Sequence, residues 1–179
     1  MRAIADRVGV TTPVLYLHFS DKQQLMRAVV AEAFADLDQR VRRSTEAAKA
    51  PSERLLASGQ AYVAFALEKP EHYRLAFMSP PDTARADREP ALTVLQWLKP
   101  LVDDFLADRL APQTNSVPLT LGLWTTAHGA ASLLTVAPHL QWGDTTAFVR
   151  RTLCATLHGS ASDAEWTSTG WHSARGSTS

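Results

Sequence analysis

The chain has a single cysteine, Cys154, in 179 residues. A lone thiol forms no internal disulfide, so the fold must rest on an apolar core, as suits a reducing cytoplasm. No apolar run reaches the length that a bilayer-spanning helix needs, and no signal peptide is visible. The sequence therefore predicts a cytoplasmic chain with no membrane partner. An excess of charge of either sign is also missing: Lys plus Arg number 18, and so do Asp plus Glu. Any affinity for a polyanion must come from where the basic groups sit. Catalytic signatures are absent too. There is no Gly-x-Ser-x-Gly elbow, no His-Glu-x-x-His pair, no Gly-rich phosphate loop and no paired Cys ligands. The histidines are scattered, with His72, His139 and His158 near expected helix ends, and Cys154 reads as a small buried apolar group rather than a nucleophile. The expectation is no catalytic residue, no metal site and no cofactor. Strand-like alternation persists nowhere, and no internal repeat is evident. What remains is an all-α fold.

The informative stretch is Met1 to Leu25, MRAIADRVGVTTPVLYLHFSDKQQL. Ile4, Ala5 and Val8 fall on one helical face. Gly9 follows where a short helix must stop, since glycine takes the left-handed backbone conformation without a Cβ penalty. Thr11 or Thr12 is placed to cap a second helix through its hydroxyl, and Pro13 fits the first helical positions, where its missing N–H is not needed. Ser20 with Gln23 reads as a capping box that opens a third, longer helix. Helix, glycine turn, helix is the helix-turn-helix layout, whose second helix enters the DNA major groove.

In these residues the chain resembles the TetR family of bacterial transcriptional regulators. The resemblance is carried by IADRVGV (Ile4 to Val10), LYLHF (Leu15 to Phe19) and DKQQL (Asp21 to Leu25). It implies a helix-turn-helix module followed by a helical-bundle ligand-binding and dimerisation domain, with a double-stranded DNA operator as partner. Tyr16 and His18 look like the family's phosphate-contacting pair and Lys22 like its backbone anchor. Thr11 and Thr12 are positioned to donate to phosphate or base edges, and Pro13 and Leu17 to offer apolar contact, for instance to a thymine methyl. Val14, Leu15 and Phe19 are expected to pack inward. The recognition helix lacks Arg, Asn and Gln, so strong bidentate base reading from it is absent. One departure stands out: in the family a further helix precedes the helix-turn-helix and packs across it, whereas Met1 stands at the start of the second family helix. Either the true start lies upstream or this product lacks that helix. In the latter case a rival reading follows, a helical dimeric small-molecule-binding protein that has lost DNA binding.

Beyond this module, residues 1–45 are expected to include a long linking helix through Leu25, Val30, Phe34, Leu37 and Val41, with Arg40, Arg42 and Arg43 solvated near its end. Residues 46–158 should form the effector-binding and dimerisation domain. A helix runs from Ser52 to before Pro70, and a short one follows to Met78. Pro80 to Glu89 reads as a loop, and a further helix over Pro90 to Leu110 is expected to kink or break at Pro100. Val117 to Ala137 is apolar on more than one face and so should be buried on several sides. Gly143-Asp144 opens the last helix. The composition from Gly159 onward predicts a disordered tail over 159–179, in which Trp166 and Trp171 stand out. Tyr62, Phe65, Phe77, Trp97, Trp124 and His128 are the candidate pocket lining, aromatic groups on segments that should converge. Taken singly, each aromatic is better explained as core packing. Trp124, His128 and Gly129 resemble a WHG-type C-terminal domain of one branch of the family. The resemblance further implies a homodimer through the last two helices, with Ala130, Leu133, Leu134, Phe148 and Leu153 as candidate interface residues. It also implies a repressor released from its operator by a small apolar or aromatic effector.

Overall fold

Local chemistry sets the first helix boundaries. The computed structural model describes residues 1–78, 90–109 and 114–162. Helix α1 (Arg2–Val8) ends at Gly9, whose φ of 73° and ψ of 27° lie in the left-handed region and whose N–H returns to the Ala5 carbonyl. Any side chain there would be strained, which is why glycine ends this helix. Helix α2 (Thr12–His18) follows with Thr11 as its N-cap. The expected hydroxyl cap is not made: the Thr11 side chain bonds no backbone N–H. The reason lies in Pro13. It removes one of the two N–H groups such a cap serves, and the Val14 N–H donates instead to the Thr11 carbonyl, at 3.0 Å.

The next cap is shifted by one residue from the expected box. Asp21, not Ser20, caps helix α3 (Lys22–Glu46), its Oδ1 accepting from the Gln24 N–H at 2.7 Å. Gln24, not Gln23, returns its side-chain oxygen to the Ser20 N–H. A carboxylate outcompetes a hydroxyl at a helix N-terminus because it carries charge toward the positive end of the dipole. The Gln24 N–H correspondingly holds the Asp21 carboxyl below its ordinary range.

Val30, Phe34, Leu37 and Val41 of α3 are buried against helix α4 (Pro51–Glu68). Arg40 is not the solvated group expected. It bonds Asp36 and Glu68 and lies over the Phe65 ring, 5.9 Å from its centroid. Lys69 reaches the other Asp36 oxygen at 2.8 Å, so this partly buried carboxylate is paired on both sides. Ion pairs and aromatic packing thus tie α3 to the end of α4.

Helix α5 (Pro70–Tyr73) passes directly into a π-helical turn, Arg74–Met78, where one regular helix was expected. Helix α6 (Pro90–Asp108) runs through Pro100 without the expected break. Pro100 and Gln96, whose carbonyl loses its N–H partner, are both exposed, so water can take the freed acceptor. Helices α7 (Val117–Val136) and α8 (Thr145–Ser162) complete the fold. Asp144 caps α8 by accepting from Ala147, and α8 continues past Gly159 to Ser162. One glycine costs a helix only about 1 kcal/mol, too little to end it. The expected loop over Pro80 to Glu89, and Trp166 and Trp171, lie outside the described residues.

Helix α4 is the centre, packed by α3, α6, α7 and α8. Its Tyr62 and Phe65 are 1% and 0% exposed. Among the described residues there is no strand, and no helix is long and apolar enough to cross a membrane.

Candidate nucleic-acid interface and effector site

Helices α1 and α2 bury only Ala5 between them, which leaves most of their side chains outward. Of the candidate DNA-facing residues, Thr11, Pro13, Tyr16, Leu17, His18 and Lys22 are exposed and Thr12 is half-buried. Leu17 is 81% exposed, a large apolar group with little cover from its own chain. Leu15 and Phe19 are half-buried, but Val14, expected inside, is 39% exposed. It shares a helical face with Leu17 and His18, three and four residues on, and so points outward with them. Residues 1–29 carry Arg2, Arg7, Lys22 and Arg27 against only Asp6 and Asp21. The neutral chain is therefore locally basic at this end. Arg2 and Arg7, which the motif reading passed over, are exposed on α1; the signal for them was charge placement rather than spacing.

A second constellation lies inside the body. Tyr62 from α4, Tyr73 from α5, Phe77 from the π-helical turn and Trp124 and His128 from α7 converge. The Tyr62 and Tyr73 hydroxyls sit 2.9 and 3.0 Å from one atom, His128 Nδ1. A ring nitrogen offers a single lone pair or a single proton, so two hydroxyls cannot both be fully served by it. Tyr73 has a second acceptor in the His128 carbonyl, at 3.3 Å. The tautomer protonated at Nε2 satisfies the set, with Tyr62 donating to Nδ1 and Tyr73 to the carbonyl. Burial favours neutral His128 and holds its pKa below the ordinary value. Burial likewise raises Tyr62 strongly and pushes Tyr73 up to about 12, so both keep their protons.

Ring contacts extend the cluster. Phe77 lies 5.4 Å from both tyrosines and 5.9 Å from His128, and the Trp124 ring lies 5.9 Å from His128. Phe34 of α3 meets Phe77 edge-on at 5.3 Å, the link between this cluster and the helix that follows α1 and α2. Trp97 reaches the cluster's other side across a small cavity lined by Tyr62, Val94, Trp97, Leu123 and Trp124. Phe65 is set apart, beneath Arg40 rather than beside His128. Tyr73 and Phe34 were missing from the sequence-derived lining. Tyr73 stands four residues before Phe77, a spacing that puts both on one helical face and was the available signal.

The expected pocket is closed. The cavity at Trp97 and Trp124 has room of about 10 Å³, the space of one water. A larger opening, about 390 Å³, lies elsewhere, on a groove between α4 and the ends of α3 and α8 that includes Ser44, Gln60, Leu67 and Thr145.

The candidate interface residues divide. Leu133 is 55% exposed and Phe148 is half-buried. Ala130, Leu134 and Leu153 are 8%, 3% and 1% exposed, so the chain's own core already covers them. The Leu153 methyls fill the space at Gly59, where an added Cβ would lie only 2.6 Å away. The outward face of α7 instead carries Val117, Leu121, Leu133 and Val136.

With this geometry in view, residues 55–156 match a family model described as the tetracyclin repressor-like C-terminal domain. Residues 1–29 match the model of bacterial regulatory proteins of the tetR family. The chain is similar to the HTH-type transcriptional activator FasR of Mycolicibacterium smegmatis, 39% identical over 77 residues, which are 43% of this chain and 35% of that one. The match thus spans about a third of that relative's length. Two solved structures share the fold. One is a protein of unknown function from Rhodococcus sp. RHA1, with a TM-score of 0.74 and 24% identity over 88% of this chain and 82% of that one. The other, described as a regulatory protein, SCO4313, has a TM-score of 0.66 and 22% identity over 88% and 84%.

Proposed function

Because this chain belongs to the TetR family of bacterial transcriptional regulators, we propose that it is a ligand-responsive, DNA-binding repressor released by a small apolar or aromatic effector. The family is one of regulators rather than enzymes. The carrying observation is α3, one unbroken helix that begins at Lys22, shortly after α2 ends at His18, and carries Phe34 against Phe77 in the aromatic cluster. An effector that wedges into the cluster displaces Phe77, and Phe34 passes that displacement to α3 and so to the spacing of the two recognition helices. Only a ligand that favours one arrangement over the other can do this.

In this reading Thr11, Thr12, Pro13, Tyr16, Leu17, His18 and Lys22 face DNA, and the protein works in the cytoplasm. It acts as a homodimer, because a two-fold molecule matches two half-sites about one DNA turn apart. The exposed apolar face of α7 supports this. Leu133→Asp would desolvate a charge in such an interface, so size-exclusion chromatography with light scattering should show monomers or aggregates. A soluble full-strength dimer from that variant would move the interface off this face.

The experiment for the function is a titration with DNA from the chain's own upstream region at several salt concentrations. Tight binding that weakens linearly in log salt is the expected result. Ligand binding with no salt-dependent DNA affinity would replace the proposal with a ligand-binding dimer that does not act on DNA.

A further inference from the structure

The groove of about 390 Å³ is lined by three helices and shares no residue with the aromatic cluster. Along α4 it follows Ala57, Ala61, Ala64 and Leu67, which recur at helical spacing. From Ala57 to Leu67 that face runs about 15 Å. The short alanine side chains leave the space open, and Val63 and Val149, each 3% exposed, add apolar lining. The polar lining comes from Gln60, from Ser44 in the last turn of α3, and from Thr145 and Thr146 in the first turn of α8. These four side chains make no hydrogen bond among the described residues. By contrast Thr45, Ser58, Thr152 and Thr156, on the same helices, each donate to a backbone carbonyl. No Lys, Arg, Asp or Glu lines the groove. Asp144, beside Thr145 in sequence, is occupied in capping α8 and would repel an anion.

We propose that this groove is a ligand site of its own, taking an uncharged, mainly apolar small molecule that carries one or two hydrogen-bonding groups. Apolar surface with a few free polar groups is the make-up of a small-molecule site, and the volume falls in the usual range for one. At interior packing density, about 0.74, the space holds a molecule on the order of 20 non-hydrogen atoms. The molecule covers the alanine face of α4, and its polar groups meet Gln60, Ser44 or the two threonines. A charged molecule of the same size would give up hydration there and find no counter-charge among the lining residues. The site goes beyond the regulator reading, since it lies apart from the aromatic cluster and binding to it needs no DNA.

The test titrates 8-anilinonaphthalene-1-sulfonamide and the corresponding sulfonate into the full chain and reads the rise in dye fluorescence. The two dyes are alike in size and differ in charge. The neutral dye should saturate at one per chain and bind about ten-fold more tightly than the anion. Ala64→Glu sets a carboxylate in the groove from an exposed position. It should cost the neutral dye about ten-fold or more in affinity with little change in melting temperature. Ala35→Glu, the same change at an exposed position of α3 outside the groove, should leave binding unaltered. Gln60→Leu keeps the apolar bulk and removes the amide, and should weaken the neutral dye about five-fold. Neutral-dye binding that survives Ala64→Glu, equal or tighter binding of the sulfonate at the Ala64-sensitive site, or no saturable binding overturns the assignment. No DNA enters this titration, so its failure leaves the regulator reading standing. A chain that binds the neutral dye in the groove but binds no DNA fails only the regulator reading.

Discussion

Tyr16→Ala and His18→Ala together should weaken binding to every DNA duplex by about 100-fold, roughly ten-fold for each phosphate hydrogen bond removed. Both side chains are exposed on α2, so the melting temperature should change little. The weakening should be the same on operator and random sequence, because phosphate contacts set affinity and register but carry little sequence choice. Lys22→Ala provides the internal contrast: removing a cation should lower the salt slope by about 1. Filter binding or fluorescence anisotropy at several salt concentrations separates these effects. An effect confined to one sequence would contradict the phosphate role and give Tyr16 or His18 a part in base reading.

Phe65→Ala carries the largest expected effect on stability. The ring is fully buried on α4, with Arg40 of α3 stacked over it. Deleting it removes apolar packing and leaves a cavity, for a cost of about 3–5 kcal/mol. That is a large share of the roughly 5–15 kcal/mol that holds a typical domain together. Urea unfolding should show a much lower midpoint with an unchanged slope. The position also decides between the two readings of this residue. Phe65 lies apart from His128, so the folded fraction of the variant should bind effector normally. A variant of native stability with impaired ligand binding would return Phe65 to the pocket wall and refute the core assignment.

The contrast between Phe65 and Tyr62 shows where sequence reasoning stops. Both are aromatic, and both face inward at helical spacing on α4. Periodicity says that a face is apolar, but it does not say which helix covers it. Chain-local features were legible because their causes lie within a few residues. The stop at Gly9, the start of α8 at Asp144 and the all-α character follow from backbone sterics, capping and the helical period. Even there the α3 cap fell one residue from the expected place, since competition between Ser20 and Asp21 is settled by charge.

The candidate site is a different matter. Tyr62 and Tyr73 meet His128 across 66 and 55 residues of chain, and only packing brings them to one nitrogen. The same holds for Leu133 and Leu134, neighbours that the apolar pattern cannot tell apart. One is left at the surface and the other is sealed into the core. The all-α character, the glycine turn and most helix positions were readable in the order of amino acids, because each is a local property. Which aromatics form the cluster and which leucines stay at the surface came from packing alone, because these depend on what lies opposite.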